Sequence, residues 1–274
     1  MSGAVPRCEG KRRAIVRARW QTRMWVIACS NYLYERFAAS EWIANQAEVA
    51  PQRPQPPKGF FRALIWRLTG GPARDRVRQR AKQDALVREA AQEAELFRRG
   101  IQGEQSLIWF LAQRLDNRYL LLRDYTPPPP FRTGGDIDGV LIGPNGVTVF
   151  EVKAWRGVFR LDGDEWLYLP RDRSAWEPGR KNPIEQARYA TDRIRGTLAL
   201  AGLRDVPVQS VLVVADPRMR VEVVSQSAIT IYQPYKDPTS LDLAPTGHVY
   251  EYQELDTIYK ALIGTPAGKA LTPR

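Results

Sequence analysis

Residues 136–155, with the sequence DIDGVLIGPNGVTVFEVKAW, constrain the fold more than any other segment of this chain. Two apolar runs flank Gly-Pro-Asn-Gly at 143–146, and Asn-Gly between apolar runs is the strongest short signal for a hairpin. The runs are apolar on both faces, as in central strands that are covered on each side. The sequence therefore predicts a buried β-hairpin.

The position of the turn decides which residues of the hairpin face each other. A loop centred on residues 144–145 places Asp138 opposite Glu151, whereas a turn at residues 145–146 places Asp138 opposite Lys153. Both registers put Asp138, Glu151 and Lys153 on one face, with directly opposite Cβ atoms about 5 Å apart. The sequence thus predicts that the three polar side chains meet.

Two acids and a lysine at the end of a buried hairpin are costly unless they are paired or hold a cation. Asp, followed by Glu-X-Lys on the next strand, is an arrangement that binds magnesium, because the carboxylates supply hard oxygen ligands and the ammonium lies beside the water they activate. A cross-strand salt bridge at a sheet edge explains the same residues without a metal. The spacing alone leaves both interpretations open.

The combination of Asp138 with EVK at 151–153 resembles the Asp and Glu-X-Lys motif of the PD-(D/E)XK nuclease superfamily. Over residues 101–216 the chain is similar to the nuclease-related domain known as NERD. Gly-Glu at 103–104, expected to open a helix, and NPIEQ at 182–186 match in the same order. The resemblance implies an α/β fold: a restriction-endonuclease-like core with a mixed central sheet flanked by helices. The sequence adds an N-terminal helical extension to this core.

The resemblance also implies roles for the motif residues. Asp138 and Glu151 would ligate Mg²⁺, with Mn²⁺ as a substitute and the backbone carbonyl of Val152 as a further ligand. Lys153 would orient and help deprotonate the attacking water, or stabilise the charged transition state. Asp136 would contact these residues without itself binding the metal ion.

Two further residues are expected to support this cluster. Glu104 precedes Leu107 and Leu111 at helical spacing, so it lies on the apolar face of a helix and points toward the core. A favourable charge at a helix N-terminus would explain Glu104 equally well. Gln186 falls in the first turn of a helix that Asn182 predicts as its N-cap, and a helix start alone would explain NPIEQ. The resemblance gives the amide of Gln186 a supporting role, in which it would position water or Lys153.

The formal net charge of +11 is concentrated at the start of the chain, where residues 1–75 carry 13 Lys or Arg and 5 Asp or Glu. This basic extension, with its Pro-rich linker, either holds phosphates through counterion release or is a solvated tail. Within it, residues 23–45 are expected to form a helix. Residues 76–100 predict a long exposed helix, and residues 101–274 the nuclease-related domain. In that domain, residues 157–161 and 165–169 are expected to form a second hairpin, and residues 221–232 a single strand. Four basic side chains of that domain are candidates for phosphate contacts: Arg156, Arg160, Lys181 and Arg188.

Several classes of protein are disfavoured by composition. No apolar run approaches the length of a membrane span, and the apolar part of residues 24–29 is too short for a signal peptide. Two cysteines support neither a disulfide framework nor a four-ligand zinc site, so a reducing cytoplasm fits best. His248, the single histidine, lies in a loop-like context, which disfavours histidine-dependent mechanisms.

The leading hypothesis from sequence is a magnesium-dependent nuclease that hydrolyses phosphodiester bonds, with DNA as its nucleic-acid partner. One alternative is a nucleic-acid-binding or scaffold domain that has the nuclease-like fold and little cleavage activity. Another is a membrane-surface or regulatory protein that uses the basic and apolar residues 60–68.

Overall fold

The computed structural model describes residues 71–172, 174–243 and 247–264, together with residues 58 and 62 and the backbone of residues 25–28. Apart from these positions, the predictions for the N-terminal extension, including its two cysteines and the stretch at 60–68, lie outside the described residues. The chain divides into two compact units, one comprising Tyr32–Ile101 and the other Met1–Asn31 with Gln102–Arg274. The second unit contains every strand described and all the candidate site residues.

Helix α1 spans Gly71–Arg114, a length of 44 residues. The prediction that a separate helix opens at Gly103 is wrong, because the surrounding Ala, Arg, Gln and Glu residues have high helix propensity and the helix continues through the glycine. A Cβ at Gly103 would lie 3.1 Å from the Cβ of Ala154 and 3.2 Å from the Cβ of Ala215. A glycine inside a helix costs about 1 kcal/mol relative to alanine, and here it lets α1 approach the sheet closely.

Two sheets are built from strands that the structure defines as β1 (Trp25–Ala28), β2 (Leu120–Tyr125), β3 (Ile137–Gly143), β4 (Gly146–Lys153), β5 (Gly157–Asp162), β6 (Glu165–Leu169), β7 (Glu177–Pro178), β8 (Val208–Val214), β9 (Met219–Val223) and β10 (Thr230–Tyr232). The first sheet has the order β1-β2-β3-β4-β8-β10, and the second has the order β7-β6-β5-β9. In the first sheet β3 runs antiparallel to β2 and β4, whereas β1, β8 and β10 each pair in parallel with a neighbour. The predicted mixed central sheet is confirmed.

Helices cover both faces of the first sheet. On one face Leu107 and Leu111 of α1 pack against Leu141 and Phe150. On the other face lie α2 (Pro183–Leu200) and α3 (Tyr252–Ile263), which bury apolar residues against Val140 and the neighbouring strands. The predicted α/β architecture, a mixed sheet flanked by helices, is therefore confirmed.

Two predictions of local structure are wrong. Residues 25–28, expected to be helical, form β1, which pairs in parallel with β2. Residues 221–232, expected to form one strand, are divided between β9 in the second sheet and β10 in the first. Between these strands Ser225 and Ser227 bond to the turn of the β5–β6 hairpin, at Gly163 N (2.6 Å) and at Asp164 Oδ1 (2.9 Å). Such side-chain bonds compete with strand pairing and turn the chain away from a ladder.

The hairpin of β3 and β4 has the first of the two predicted registers. Gly143 pairs with Gly146 across residues 144–145, and the ladder continues to Gly139 opposite Phe150. The next position along the ladder places Asp138 opposite Glu151. Since β8 pairs with β4 in parallel along its whole length, the acids lie at the end of a strand that is held from both sides.

Candidate active site

Asp138 lies in β3 and is half-buried. Its Oδ2 accepts a hydrogen bond of 2.6 Å from the backbone N–H of Val152 in β4. Burial raises the pKa of Asp138, although the ammonium of Lys153 and the bond from Val152 act in the opposite direction. Burial therefore disfavours the ionised form of Asp138, and the bond from β4 fixes the position of its side chain.

Glu151 and Lys153 lie two residues apart in β4, on the same face of the strand. The ammonium of Lys153 donates to Oε1 of Glu151. Burial and the carboxylate of Asp138 raise the pKa of Glu151 to about 7. Burial alone would lower the pKa of Lys153, but the carboxylates of Glu151 and Asp138 outweigh it, so the pKa is raised and the ammonium stays charged. The structure brings the three predicted motif residues together.

Glu104, on α1, is also part of this cluster. Its side chain is 5% exposed and accepts a 2.7 Å bond from the guanidinium of Arg123. Burial, together with the carboxylates of Asp124 and Asp138, raises the pKa of Glu104 to about 8. The expectation that this acid points toward the core is met, although Glu104 sits inside a helix and has no helix N-terminus beside it.

Arg123 and Asp124 of β2 were not recognised from the sequence as part of the site. Arg123 pairs with Gly139 and Tyr125 pairs with Ile137, so Asp124 lies between these pairs, opposite Asp138. Asp124 is 6% exposed and has a φ of 46°, a conformation that costs a non-glycine residue of order 1–3 kcal/mol. Burial raises its pKa to about 6, with further contributions from Asp138 and Asp136. The sequence signal that could have identified Arg123 and Asp124 is that they are two charged residues at the end of an otherwise apolar strand.

Gln186 lies in the first turn of α2, as predicted. Asn182 caps this helix by accepting a 2.9 Å bond from the N–H of Ile184. The side-chain oxygen of Gln186 is buried and has no hydrogen-bond partner. A buried acceptor without a donor is costly, so this carboxamide is ready to accept a hydrogen bond. Asp136 is exposed and accepts a hydrogen bond from the hydroxyl of Thr126.

The four predicted phosphate contacts have different surroundings. Lys181 is exposed, and its charge opposes the rise in the pKa of Glu151. Arg156 is also exposed. Arg160 lies 3.0 Å from the carboxylate of Glu222, and Arg188 forms an ion pair with Asp164. For all four residues, contact with phosphate remains a prediction.

The excess of acids in this cluster predicts how the stability of the metal-free protein depends on pH. The pKa values of Glu104, Asp124 and Glu151 are about 8, 6 and 7 in the folded chain, above the values near 4 of unfolded carboxyl groups. The folded state therefore retains protons that the unfolded state has released, and its stability falls as the pH rises from about 4.5 to about 8. We expect the melting temperature, measured in EDTA, to decrease across this range and then to level off.

The variant Glu104→Gln tests the origin of that slope. A carboxamide does not titrate, so the loss of stability between pH 5 and 8 should be smaller by about 1.4 kcal/mol for each unit of pKa shift removed. The matched control is Glu185→Gln, at an exposed glutamate on α2, which should leave the slope unchanged. An unchanged slope in Glu104→Gln would contradict the assignment.

The carboxylates also decide which metal ion could be held. Among the residues that the structure describes, no group of three or more His, Cys, Asp or Glu side chains is placed to hold a metal ion. Magnesium needs fewer protein ligands, because it keeps several waters and binds through one or two carboxylates plus substrate phosphate. The hydrogen bonds described above use Oδ2 of Asp138 and Oε1 of Glu151, so each carboxylate retains a second oxygen for a cation. The carboxylates of Asp138 and Glu151, with the backbone carbonyl of Val152, are therefore a set of oxygen donors that fits Mg²⁺.

Two other expectations concern the surroundings of the site. His248 is exposed, and its Nε2 lies 2.8 Å from Glu254, away from the acids of β3 and β4. Among the helices of the described residues, none has the length and apolar character needed to span a bilayer.

The mixed sheet between helices, with acids and an ammonium on its adjacent central strands, defines an α/β domain with a nuclease-like core. Residues 99–215 match the family model described as NERD, the nuclease-related domain. The matched region agrees with the resemblance over residues 101–216 that the sequence predicted. Searches of curated proteins and of solved structures gave no match.

Proposed function

We propose that this protein is a divalent-metal-dependent nuclease that hydrolyses phosphodiester bonds in DNA. The observation that carries the proposal is the register of the β3–β4 hairpin, which puts Asp138 opposite Glu151, while Lys153 bonds to Glu151 from the same strand. The family match to a nuclease-related domain over residues 99–215 supports it. The nucleic acid and the chemistry are inferred from the residues of this site.

Asp138, Glu151 and the backbone carbonyl of Val152 would hold the cation. Burial raises the pKa values of both carboxyl groups, Asp138 adds to the rise at Glu151, and a bound cation would favour their charged forms. When bound, Mg²⁺ supplies Lewis-acid polarisation of the phosphate and lowers the pKa of water. Cation binding would in turn lower the pKa values of both carboxyl groups, so it should strengthen as the pH rises.

Lys153 would stabilise negative charge. Its raised pKa keeps the ammonium protonated at neutral pH, so it has a proton to donate and no lone pair with which to accept one. A charged donor that is fixed by Glu151 is suited to the phosphate oxygens, on which negative charge develops in the transition state. Of the two roles expected for this lysine, charge stabilisation is the one that its protonation state favours.

Glu104, Arg123 and Gln186 would position this centre. Arg123 is 12% exposed and bonds to Glu104, and a guanidinium placed there limits the repulsion among the acids. The unpartnered oxygen of Gln186 would accept a hydrogen bond from the attacking water or from Lys153. Lys181 and Arg156, both exposed, would contact the phosphates that flank the scissile bond.

The alternative is a nucleic-acid-binding domain with a nuclease-like fold and little cleavage activity. The absence of a three-residue metal cluster among the described residues favours it. It predicts binding of DNA without cleavage in Mg²⁺. An assay of DNA cleavage therefore distinguishes the two functions.

The test is cleavage of end-labelled DNA by the purified full chain in Mg²⁺, with EDTA as the reference. Asp138→Asn keeps the size of the side chain but removes its charge, so we expect cleavage to fall on the order of 100-fold, or ~2.7 kcal/mol in activation free energy. Asp205→Asn, at an exposed aspartate near the turn of the hairpin, the end opposite to Asp138, is the matched control and should cleave like the parent. Cleavage that does not need Mg²⁺, or that Asp138→Asn retains, would refute this site.

A further inference from the structure

Tyr189 presents an aromatic ring to solvent beside the candidate active site. It lies on α2, one turn beyond Gln186, and is 50% exposed. Its hydroxyl donates to the backbone oxygen of Thr133 at 3.4 Å. A Cβ at Gly134 would lie 2.4 Å from Cε1 of Tyr189, so only a glycine leaves room for the ring edge at this position. The ring is thus fixed along one edge by the loop between β2 and β3.

Arg193 lies against the ring of Tyr189. Its guanidinium carbon is 5.7 Å from the ring centroid, within the range of a cation–π interaction. Arg193 is 4% exposed, its Nε donates to the backbone oxygen of Phe131 at 3.0 Å, and its Nη2 is buried without a hydrogen-bond partner. Because Arg193 is buried, the ring face next to it is the inner one, and the opposite face is open to solvent.

The loop between β2 and β3 is tied to α2 at a third point. A Cβ at Gly196 would lie 2.3 Å from Cζ of Phe131, so this aromatic ring packs directly on the helix backbone. Residues 186, 189, 193 and 196 share one face of α2, because they recur at intervals of three and four. Tyr189 therefore has little freedom to lose when a ligand contacts it, which lowers the entropic cost of binding.

The same loop leads directly into the acids of the site. It ends at Asp136, two residues before Asp138. Burial is the main influence on the pKa of both Arg193, which it lowers, and Asp138, which it raises, and the carboxylate of Asp136 acts on both groups. The exposed ring therefore packs against the loop that leads through Asp136 into the acid cluster.

We propose that Tyr189 is a stacking platform for an unpaired nucleobase of the substrate strand, on the loop that leads into the acid cluster. The identity of the ligand rests on the proposed nuclease function. A base inside a duplex has its faces covered by its neighbours, so only a single-stranded or extruded nucleotide can stack on this ring. The domain would accordingly prefer single-stranded DNA, or a duplex that is opened at the cleavage site.

The test is the affinity of the full chain for a fluorescein-labelled single-stranded oligonucleotide, measured by anisotropy in EDTA so that no cleavage occurs. Tyr189→Ala should weaken binding about 5- to 100-fold, the range for loss of one base–aromatic stack. Tyr189→Phe keeps the ring and should bind like the parent. Tyr189→Leu keeps apolar bulk over Arg193 without an aromatic face, so it should lose affinity as alanine does even if alanine loosens the loop.

Tyr235→Ala is the matched control, because Tyr235 is equally exposed at 50%. Its ring packs edge-on against Phe110 at 5.2 Å, and its hydroxyl bonds to Ser106 at 3.1 Å, remote in the sequence from the β2–β3 loop. Its removal should leave the affinity unchanged. A duplex of the same sequence should be insensitive to Tyr189→Ala.

Three results would overturn the inference: a parent that does not bind the single strand, a Tyr189→Ala variant that binds like the parent, or an equal loss for single strand and duplex. Failure of the proposed function has a different signature. If the parent does not cleave DNA in Mg²⁺ but Tyr189→Ala still loses single-strand affinity in EDTA, the nuclease proposal fails and the platform stands. If cleavage is normal and the affinity of Tyr189→Ala is unchanged, only the platform fails.

Discussion

Replacing Lys153 by methionine is expected to reduce Mg²⁺-dependent cleavage of DNA by on the order of 100- to 1000-fold, the range for removal of one charged or hydrogen-bonding group that acts on the transition state. The ammonium of Lys153 bonds to Glu151 and lies close enough to Asp138 for their charges to interact. Methionine has a similar length and no charge. The expected loss is in the rate constant, with a smaller change in the affinity for DNA.

The binding of Mg²⁺ should respond in the opposite direction. Lys153 opposes the rise in the pKa values of Glu151 and Asp138, and it occupies Oε1 of Glu151. Without the ammonium the two carboxylates have more negative charge to offer a cation, so the increase in melting temperature caused by Mg²⁺ should persist or grow. Retained metal binding with lost cleavage would distinguish a chemical role from a structural one.

The control for this substitution is Lys260→Met on α3. Lys260 has a side-chain exposure of 18%, against 15% for Lys153, and it too forms an ion pair with a carboxylate, that of Asp256. The two variants lose the same group from similar surroundings. Lys260→Met should therefore cleave at the parental rate, and full cleavage by Lys153→Met would show that the ammonium is dispensable.

The strongest part of the site was accessible from the sequence because it depends on a local hairpin. The apolar runs flanking residues 143–146 predicted two strands, and the period of two in a strand placed Asp138, Glu151 and Lys153 on one face in either register. The sequence does not distinguish the two registers, because Pro-Asn and Asn-Gly each support a two-residue loop. The observed pairing of Gly143 with Gly146 resolves this point.

The remainder of the cluster depends on contacts between distant segments. Asp124 faces Asp138 because β2 pairs with β3 across a connection of 11 residues, and Glu104 approaches them because Gly103 permits close packing of α1. Neither contact has a local signature, and a φ of 46° at Asp124 is not encoded by a glycine. Sequence periodicity placed Glu104 on the apolar face of its helix but gave it no partner.

Short strands with distant partners explain the errors in the fold. The strand β1 has four residues, and it pairs in parallel with β2, which lies about a third of the chain away. Such pairings carry no turn signal, because parallel neighbours need a long connection. The second sheet was missed for a related reason, since its β5–β6 hairpin was predicted but the parallel pairing of β5 with β9 was not.

The second large effect is expected from Gly146→Ala, which should lower the free energy of unfolding by about 2–4 kcal/mol. Gly146 begins β4 with a φ of 98°, a conformation that L-residues rarely adopt. A Cβ there would also lie 2.5 Å from the backbone oxygen of Pro207, which already accepts a 2.9 Å bond from Val147. Because a backbone carbonyl cannot rotate away as a side chain can, the start of β8 has to move.

Gly202→Ala separates the two contributions to this cost. Gly202 has a φ of 78° and no atom within 4 Å of the position of a Cβ, so its replacement should cost only the backbone term, about 1–2 kcal/mol. Urea unfolding of both variants measures the difference, which we assign to the contact with Pro207. Since β4 pairs with β8 from Val147 through Lys153, displacement of Pro207 disturbs the strand that carries Glu151 and Lys153. Gly146→Ala should therefore also reduce cleavage. Equal losses of stability in the two variants would show that the contact with Pro207 adds no cost, and unchanged cleavage by Gly146→Ala would show that the acids do not depend on it.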